Sequence, residues 1–86
     1  MPKIYVENNK YKADIKVYKE KNKSQADIHY YVTDNKYDSK IKNDSIWYFT
    51  DNKYQADKKI FWEDSKYRAD LKAYETSNKH QAKGDL

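Results

Sequence analysis

The sequence contains no cysteine, one glycine and one proline. The lack of cysteine excludes a disulfide framework and thiolate chemistry. Because small secreted domains usually carry disulfides, we expect this chain to be cytoplasmic. No apolar run approaches the roughly 18–20 residues that span a bilayer, and the N-terminal residues lack the hydrophobic stretch of a secretory signal. With so little glycine and proline, asparagine must supply the turns.

Large apolar residues other than Tyr and Trp are also scarce. Leu, Ile, Val and Phe make up 13 of 86 residues, about 15%, which is below the level that warns of disorder. Two features oppose disorder. The net charge is only +4, although 37% of the residues are charged. In addition, ten Tyr and two Trp would each bury roughly 150–250 Å². We therefore predict a single domain over residues 1–86 with an aromatic, tyrosine-rich core.

A thirteen-residue pattern occurs six times along the chain. Counting the conserved lysine as position 7, position 1 is apolar or aromatic, position 2 is aromatic, and position 6 is Asn or Ser. Position 10 is always Ala or Ser, and position 11 is Asp or Lys. The lysines that define the alignment are Lys10, Lys23, Lys36, Lys53, Lys66 and Lys79.

The columns of the repeat predict strands and turns. From position 8 onward apolar and polar residues alternate, so that Tyr11, Ala13, Ile15 and Val17 would share one strand face. We predict one strand of about seven to nine residues per repeat, with no substantial helix. Asparagine at position 6 suits a turn because it tolerates left-handed backbone angles and bonds to its own backbone.

Positions 10 and 11 invite more specific interpretations. A side chain no larger than Ala or Ser lets another segment approach closely. Aspartate at position 11 would accept backbone N–H groups or pair with a neighbouring lysine, or else be an exposed strand charge.

The spacing of the repeats breaks once, because Trp47 follows Tyr30 by 17 residues instead of 13. The break divides the chain into repeats 3–43 and 46–86. These halves align at an offset of 43, with 16 identities in 43 pairs. We predict an all-β fold in which six short repeat strands form two pseudo-two-fold-related halves around a common core.

The aromatic strands that follow Ala-Asp, as in residues 11–18 and 67–74, resemble the septoil-knot domain family over about Ile4 to Lys83. The resemblance implies a small β-protein whose backbone forms a seven-crossing torus knot, with two halves wound about each other. It also implies high kinetic stability, because unfolding would require unthreading. The family's biochemical role is not established, so no site residues follow from it. Lys40 and Lys83 depart from the pattern in place of Asp, and Gly84 replaces the following Ile or Leu.

Almost every patterned column has a folding explanation. We therefore predict a non-catalytic structural or protein-interaction module, monomeric, with a protein partner of unknown identity, no cofactor and no membrane association. The alternative is weak binding of nucleic acid or an anionic surface, supported by a pI of about 9.1 and by aromatic residues suited to stacking. The 14 interspersed acidic residues oppose it. Its possible anion-binding residues are Lys10, Lys23, Lys36, Lys53, Lys66 and Lys79.

Candidates for catalysis are few. His29 and His80 are the only histidines, and neither has a neighbour that suggests a triad, a metal site or a phosphate loop. The four aligned aspartates could gather around a cation, but one carboxylate per repeat is sparse for Mg²⁺ or Ca²⁺. We predict no catalytic and no metal-binding residues. The aspartates are Asp14, Asp27, Asp57 and Asp70.

Overall fold

Six parallel strands close into a barrel in the computed structural model, which describes residues 2–35 and 44–86. The all-β prediction is confirmed, and short 3₁₀ turns are the helical elements of the described chain. None of the described residues lies in a helix long and apolar enough to cross a membrane. The strands are β1 (Lys3–Val6), β2 (Ile15–Lys19), β3 (Ile28–Val32), β4 (Ile46–Phe49), β5 (Lys58–Trp62) and β6 (Leu71–Glu75).

The two halves of the chain alternate strand by strand around the barrel. The order is β1-β4-β3-β6-β2-β5, and every neighbouring pair is parallel. Each strand of the first half is therefore bonded only to strands of the second half. This is the arrangement expected of two segments wound about each other. Equivalent strands of the halves are direct neighbours, so a one-strand step around the barrel relates the two halves, and not the half-turn of the predicted two-fold axis.

Short strands allow short connections between them. A parallel pair usually needs a crossover of a dozen or more residues, yet β1 and β2 are joined by residues 7–14 alone. Strands of four or five residues are roughly 13–17 Å long. Eight residues can therefore turn and return to the starting end. The predicted strands of seven to nine residues were too long: Tyr11 and Ala13 lie in the connection, outside β2.

Four connections, residues 7–14, 20–27, 50–57 and 63–70, each pass over a strand of the other half, and an aspartate fastens them there. We call such a place a crossing. At the first, the Asp14 N–H donates to the Lys59 carbonyl at 2.8 Å, and the Lys59 N–H donates to Asp14 Oδ2 at 2.9 Å. The backbone-accepting role considered for position 11 is confirmed at every aspartate of the column. The other pairs are Asp27 with Lys72, Asp57 with Lys3, and Asp70 with Lys16.

The centre of the core is formed by one column of the repeat, to which Ile28 adds a further buried side chain. All six residues at position 1 are at most 3% exposed and meet inside the barrel. Their sizes compensate for one another: Tyr30 and Trp47 stack at 4.1 Å between ring centroids, while Ala73 and Val17 occupy the two strands beyond Tyr30. A six-stranded barrel is narrow, and close packing requires small residues opposite large ones. The column comprises Ile4, Val17, Tyr30, Trp47, Ile60 and Ala73.

The prediction of a tyrosine-rich interior was wrong. Tyr30 is the one fully buried tyrosine among the described residues, and Trp47, Phe49 and Trp62 supply the rest of the aromatic core. The position-2 residues alternate with position 1 and face outward, where they are half-buried. Tyrosine suits this place because one end of its ring is apolar and the other is wet. The outward column is Tyr5, Tyr18, Tyr31, Tyr48, Phe61 and Tyr74.

We expect Asp70→Ala to lower the free energy of unfolding by about 1–2 kcal/mol. The change removes a charge-assisted bond to the Lys16 N–H at 2.9 Å, and solvent exposure moderates the loss. Equilibrium denaturation measures it. Asp51→Ala, at an exposed turn position, is the matched control and should change stability by less than about 0.5 kcal/mol. Equal effects of the two substitutions would contradict the fastening role of the crossing.

Candidate functional site

The turns after the strands are stabilised by hydrogen bonds from their backbone N–H groups to their own side chains. The Asn9 side chain accepts the Tyr11 N–H at 3.0 Å, and Glu7 Oε1 accepts the Asn9 N–H at 3.3 Å. Asn22, Asn52 and Asn78 accept in the same way from the residue two further on. The predicted bond from asparagine to its own backbone is confirmed. The left-handed angles are not used, because within residues 2–35 and 44–86 only Gly84 has a positive φ.

The turn lysines are spread around the barrel and do not converge on one point. Lys10, Lys53 and Lys66 each lie over the ring of the next residue, a tyrosine. Lys23 lines a groove, and Lys79 is half-buried and engaged in an interaction of its own. Lys36 lies outside the described residues, as does Lys40.

Three neighbouring turns present a lysine beside an exposed tyrosine. The pairs are Lys10–Tyr11, Lys53–Tyr54 and Lys66–Tyr67, with 5.5–5.7 Å from Nζ to the ring centroid. The three rings are 85–90% exposed. Their connections cross β5, β1 and β2, which are contiguous in the barrel. We call this surface the aromatic rim.

A groove lies between the two turns that cross β6 and β3. It has two adjoining parts, of about 490 and 290 Å³, which share Lys23, His29 and Lys83. His29 is 7% exposed, and its Nε2 lies 3.0 Å from the Lys23 carbonyl oxygen. Its ring also packs edge-on against Tyr74 at 5.6 Å. We call it the cationic groove; its remaining lining residues are Asn22, Ser24, Ala26, His80, Gln81 and Ala82.

The crossing beneath this groove differs from the other four that the structure describes. Lys83 stands at position 11 where they carry aspartate. The Lys83 N–H donates to the His29 carbonyl, and the His29 N–H donates to the Lys83 carbonyl, both at 2.9 Å. A backbone carbonyl thus replaces the carboxylate. Gly84 follows at φ 108°, where a Cβ would lie 3.0 Å from Ile28 Cγ1, so the departure at this position also has a packing reason.

The structure separates the four candidate aspartates but brings the two histidines to one groove. The four aspartates lie at four separate crossings, and in the described part of the chain there is no group of three or more His, Cys, Asp or Glu side chains that could hold a metal ion. His29 and His80 do line one groove. Sequence reasoning missed this meeting, because it depends on which strand each connection crosses.

The pKa of the buried Tyr30 phenol is perturbed. Burial raises the pKa of Tyr30 from 10.0 to about 12, and the Glu75 carboxylate acts in the same direction. Such a phenol stays protonated at neutral pH and is a weaker acid than an exposed tyrosine.

Comparison with known proteins agrees with this architecture. The family model described as the 7(1) septoil knot domain matches residues 1–84. The chain belongs to the septoil-knot domain family. No curated protein and no solved structure matches it significantly. The family resemblance seen in the Ala-Asp strands is therefore confirmed, and the interleaved barrel is the form that this septoil-knot domain takes.

The raised pKa of Tyr30 predicts a loss of stability of this septoil-knot domain in alkali. Below about pH 10 the phenol is protonated in both the folded and the unfolded chain, so its contribution to the free energy of unfolding is fully present. Between about pH 10 and 12 the unfolded chain loses a proton that the folded chain retains, so the free energy of unfolding falls by about 2–3 kcal/mol. Tyr30→Phe keeps the stacked ring and should remove this part of the pH dependence.

Equilibrium denaturation at several pH values between 9 and 12 (roughly the range in which tyrosines titrate) measures the effect. Tyr67→Phe is the control, because this ring is 90% exposed and its substitution should leave the wild-type pH profile unchanged. A Tyr30→Phe profile that overlays the wild-type profile would disprove the assignment.

Proposed function

We propose that this septoil-knot domain is a non-catalytic structural or protein-interaction module that unfolds very slowly. The supporting observation is that every strand has neighbours only from the other half, and that every described connection crosses a strand of the other half. The halves cannot part by peeling off one strand. They have to unthread, which places the barrier between the folded and unfolded states high.

The use of the polar side chains supports a non-catalytic role. The carboxylates of Asp14, Asp27, Asp57 and Asp70 accept strand N–H groups, and the buried Tyr30 phenol is held protonated. Side chains with these duties are poorly placed for proton transfer to a substrate. The lack of cysteine supports a cytoplasmic location for the module.

Unfolding kinetics test the proposal. We expect an unfolding rate in water on the order of 10⁻⁵ s⁻¹ or below, at the slow end for small domains. A variant with a protease site between Asn35 and Asp44, cut after folding, should unfold at least about tenfold faster because its halves can separate without threading. Chevron analysis of both forms provides the rates.

Asp70→Ala is the control that distinguishes an effect of chain topology on the unfolding rate from an effect of lower equilibrium stability. It weakens one crossing but leaves the chain intact, so it should reduce equilibrium stability and still unfold far more slowly than the cut form. Cut and intact chains that unfold at the same rate would refute the proposal, as would an intact chain that unfolds within seconds.

The aromatic rim favours a second candidate function, the binding of single-stranded nucleic acid. Three exposed tyrosines beside lysines offer stacking surfaces and positive charge on contiguous turns. Against it, Asp14, Asp57 and Asp70 lie at the bases of the same turns.

A fluorescent single-stranded oligonucleotide tests this second function. Binding should weaken with salt at a log–log slope of about −0.7 per phosphate neutralised. Replacing Tyr11, Tyr54 and Tyr67 together by Ala should reduce affinity at least about tenfold, whereas replacing them by Phe should preserve it, because stacking needs the ring and not the hydroxyl. Absence of binding at low salt, or equal loss in both triple variants, would exclude the rim as a nucleic-acid surface.

A further inference from the structure

At the cationic groove, position 11 of the repeat lacks its aspartate, yet the backbone bonds of the crossing are kept. At the other described crossings an aspartate side chain accepts the strand N–H, but here the Lys83 carbonyl does so. The Lys83 side chain therefore does not take part in the bond to the crossed strand, unlike the aspartate side chains at position 11 elsewhere. One negative charge is replaced by one positive charge, and the crossed residue is His29, whereas it is a lysine at the other four described crossings.

The lining of the groove contains several basic and polar residues and no carboxylate. Lys23, Lys83, His29 and His80 bring together four nitrogen-bearing side chains, and Gln81 adds an amide. The acidic residues at the two ends of the second turn line neither part of the groove. Glu20 accepts the Asn22 N–H at 3.0 Å, and Asp27, which follows Ala26, accepts the Lys72 N–H at 2.9 Å.

The small residues at position 10 keep the groove open. Ala26 and Ala82, one from each half of the chain, both line it. A larger side chain at either position would occupy part of the space between the two turns. The volumes of about 490 and 290 Å³ leave room for a molecule larger than a simple ion.

A second groove on the same protein shows that the cationic lining is not a general property of its surface. Near the crossing of β1, a groove of about 230 Å³ is lined by Pro2, Asp44, Asp57, Lys58 and Leu86. Its two carboxylates outnumber its one lysine, and the fastening aspartate of that crossing is one of them. The linings of the two grooves are therefore opposite in charge.

We propose that the cationic groove binds a small molecule that carries a phosphomonoester. A phosphate has up to two negative charges and several acceptor oxygens, which suits a site lined by Lys23, Lys83 and His80 better than a single carboxylate would. The His29 Nε2 is already engaged with the Lys23 carbonyl and forms part of the groove wall. Lysine binds phosphate as a point charge, so the two turns need not hold it in one fixed geometry. The site is distinct from the aromatic rim, which occupies the turns over β5, β1 and β2.

The test is a titration of the ¹⁵N-labelled full chain with inorganic phosphate and with glycerol 3-phosphate at low salt, followed by NMR. Both probes should cause saturable shifts centred on the amides of Lys23, His29, His80 and Lys83, with glycerol 3-phosphate binding more tightly because it fills more of the groove. Glycerol is the uncharged control and should cause no such shifts.

Lys83→Asp restores the residue that the other described crossings carry, so the fold should tolerate it, and the affinity for glycerol 3-phosphate should fall at least tenfold. Lys58→Asp makes the same charge change in the second groove and should alter the affinity less than twofold. The proposal is overturned if neither probe gives saturable shifts in this groove, or if the two substitutions weaken binding equally, which would indicate attraction by net charge alone.

Discussion

Every strand of this barrel obtains its backbone hydrogen bonds from the other half of the chain. A β-strand cannot leave its N–H and C=O groups unpaired in a packed structure, so neither half can form its strands alone. Folding must bring residues from distant parts of the sequence together before any pairing is gained, which is entropically expensive and slow. In return, the closed barrel leaves no strand edge in the described chain on which another molecule could pair.

The repeat predicted the roles of individual columns better than the arrangement of the strands. Asparagine bonds to its own turn and aspartate accepts backbone N–H groups, because each role depends on chemistry local to one residue. The alternating pattern could not reveal parallel pairing or closure, since a strand has the same period whatever lies beside it. Nor could composition place tyrosine, whose amphipathic ring suits the core, the outer face and an exposed turn alike. Tyr30, Tyr5 and Tyr11 illustrate these three places.

The cationic groove was beyond sequence reasoning for a related reason. Lys83 was visible as a departure from the aspartate column, and His29 as a histidine in a lysine column. Their meeting depends on the last connection crossing β3, a fact about winding that no single repeat contains. The turn lysines were predicted as a set, yet the structure distributes them: Lys23 lines the groove, and Lys10, Lys53 and Lys66 accompany tyrosines.

Side chains within each turn stabilise its backbone, and this allows the turns to vary in sequence during evolution. Asparagine and the preceding Glu or Thr satisfy the turn backbone, so the residue at the tip carries little structural duty. The tips already differ, with Tyr11, Ser24 and His80 at equivalent places. Mutations there can therefore accumulate and alter what the surface recognises, while the barrel beneath keeps its winding and its resistance to unfolding.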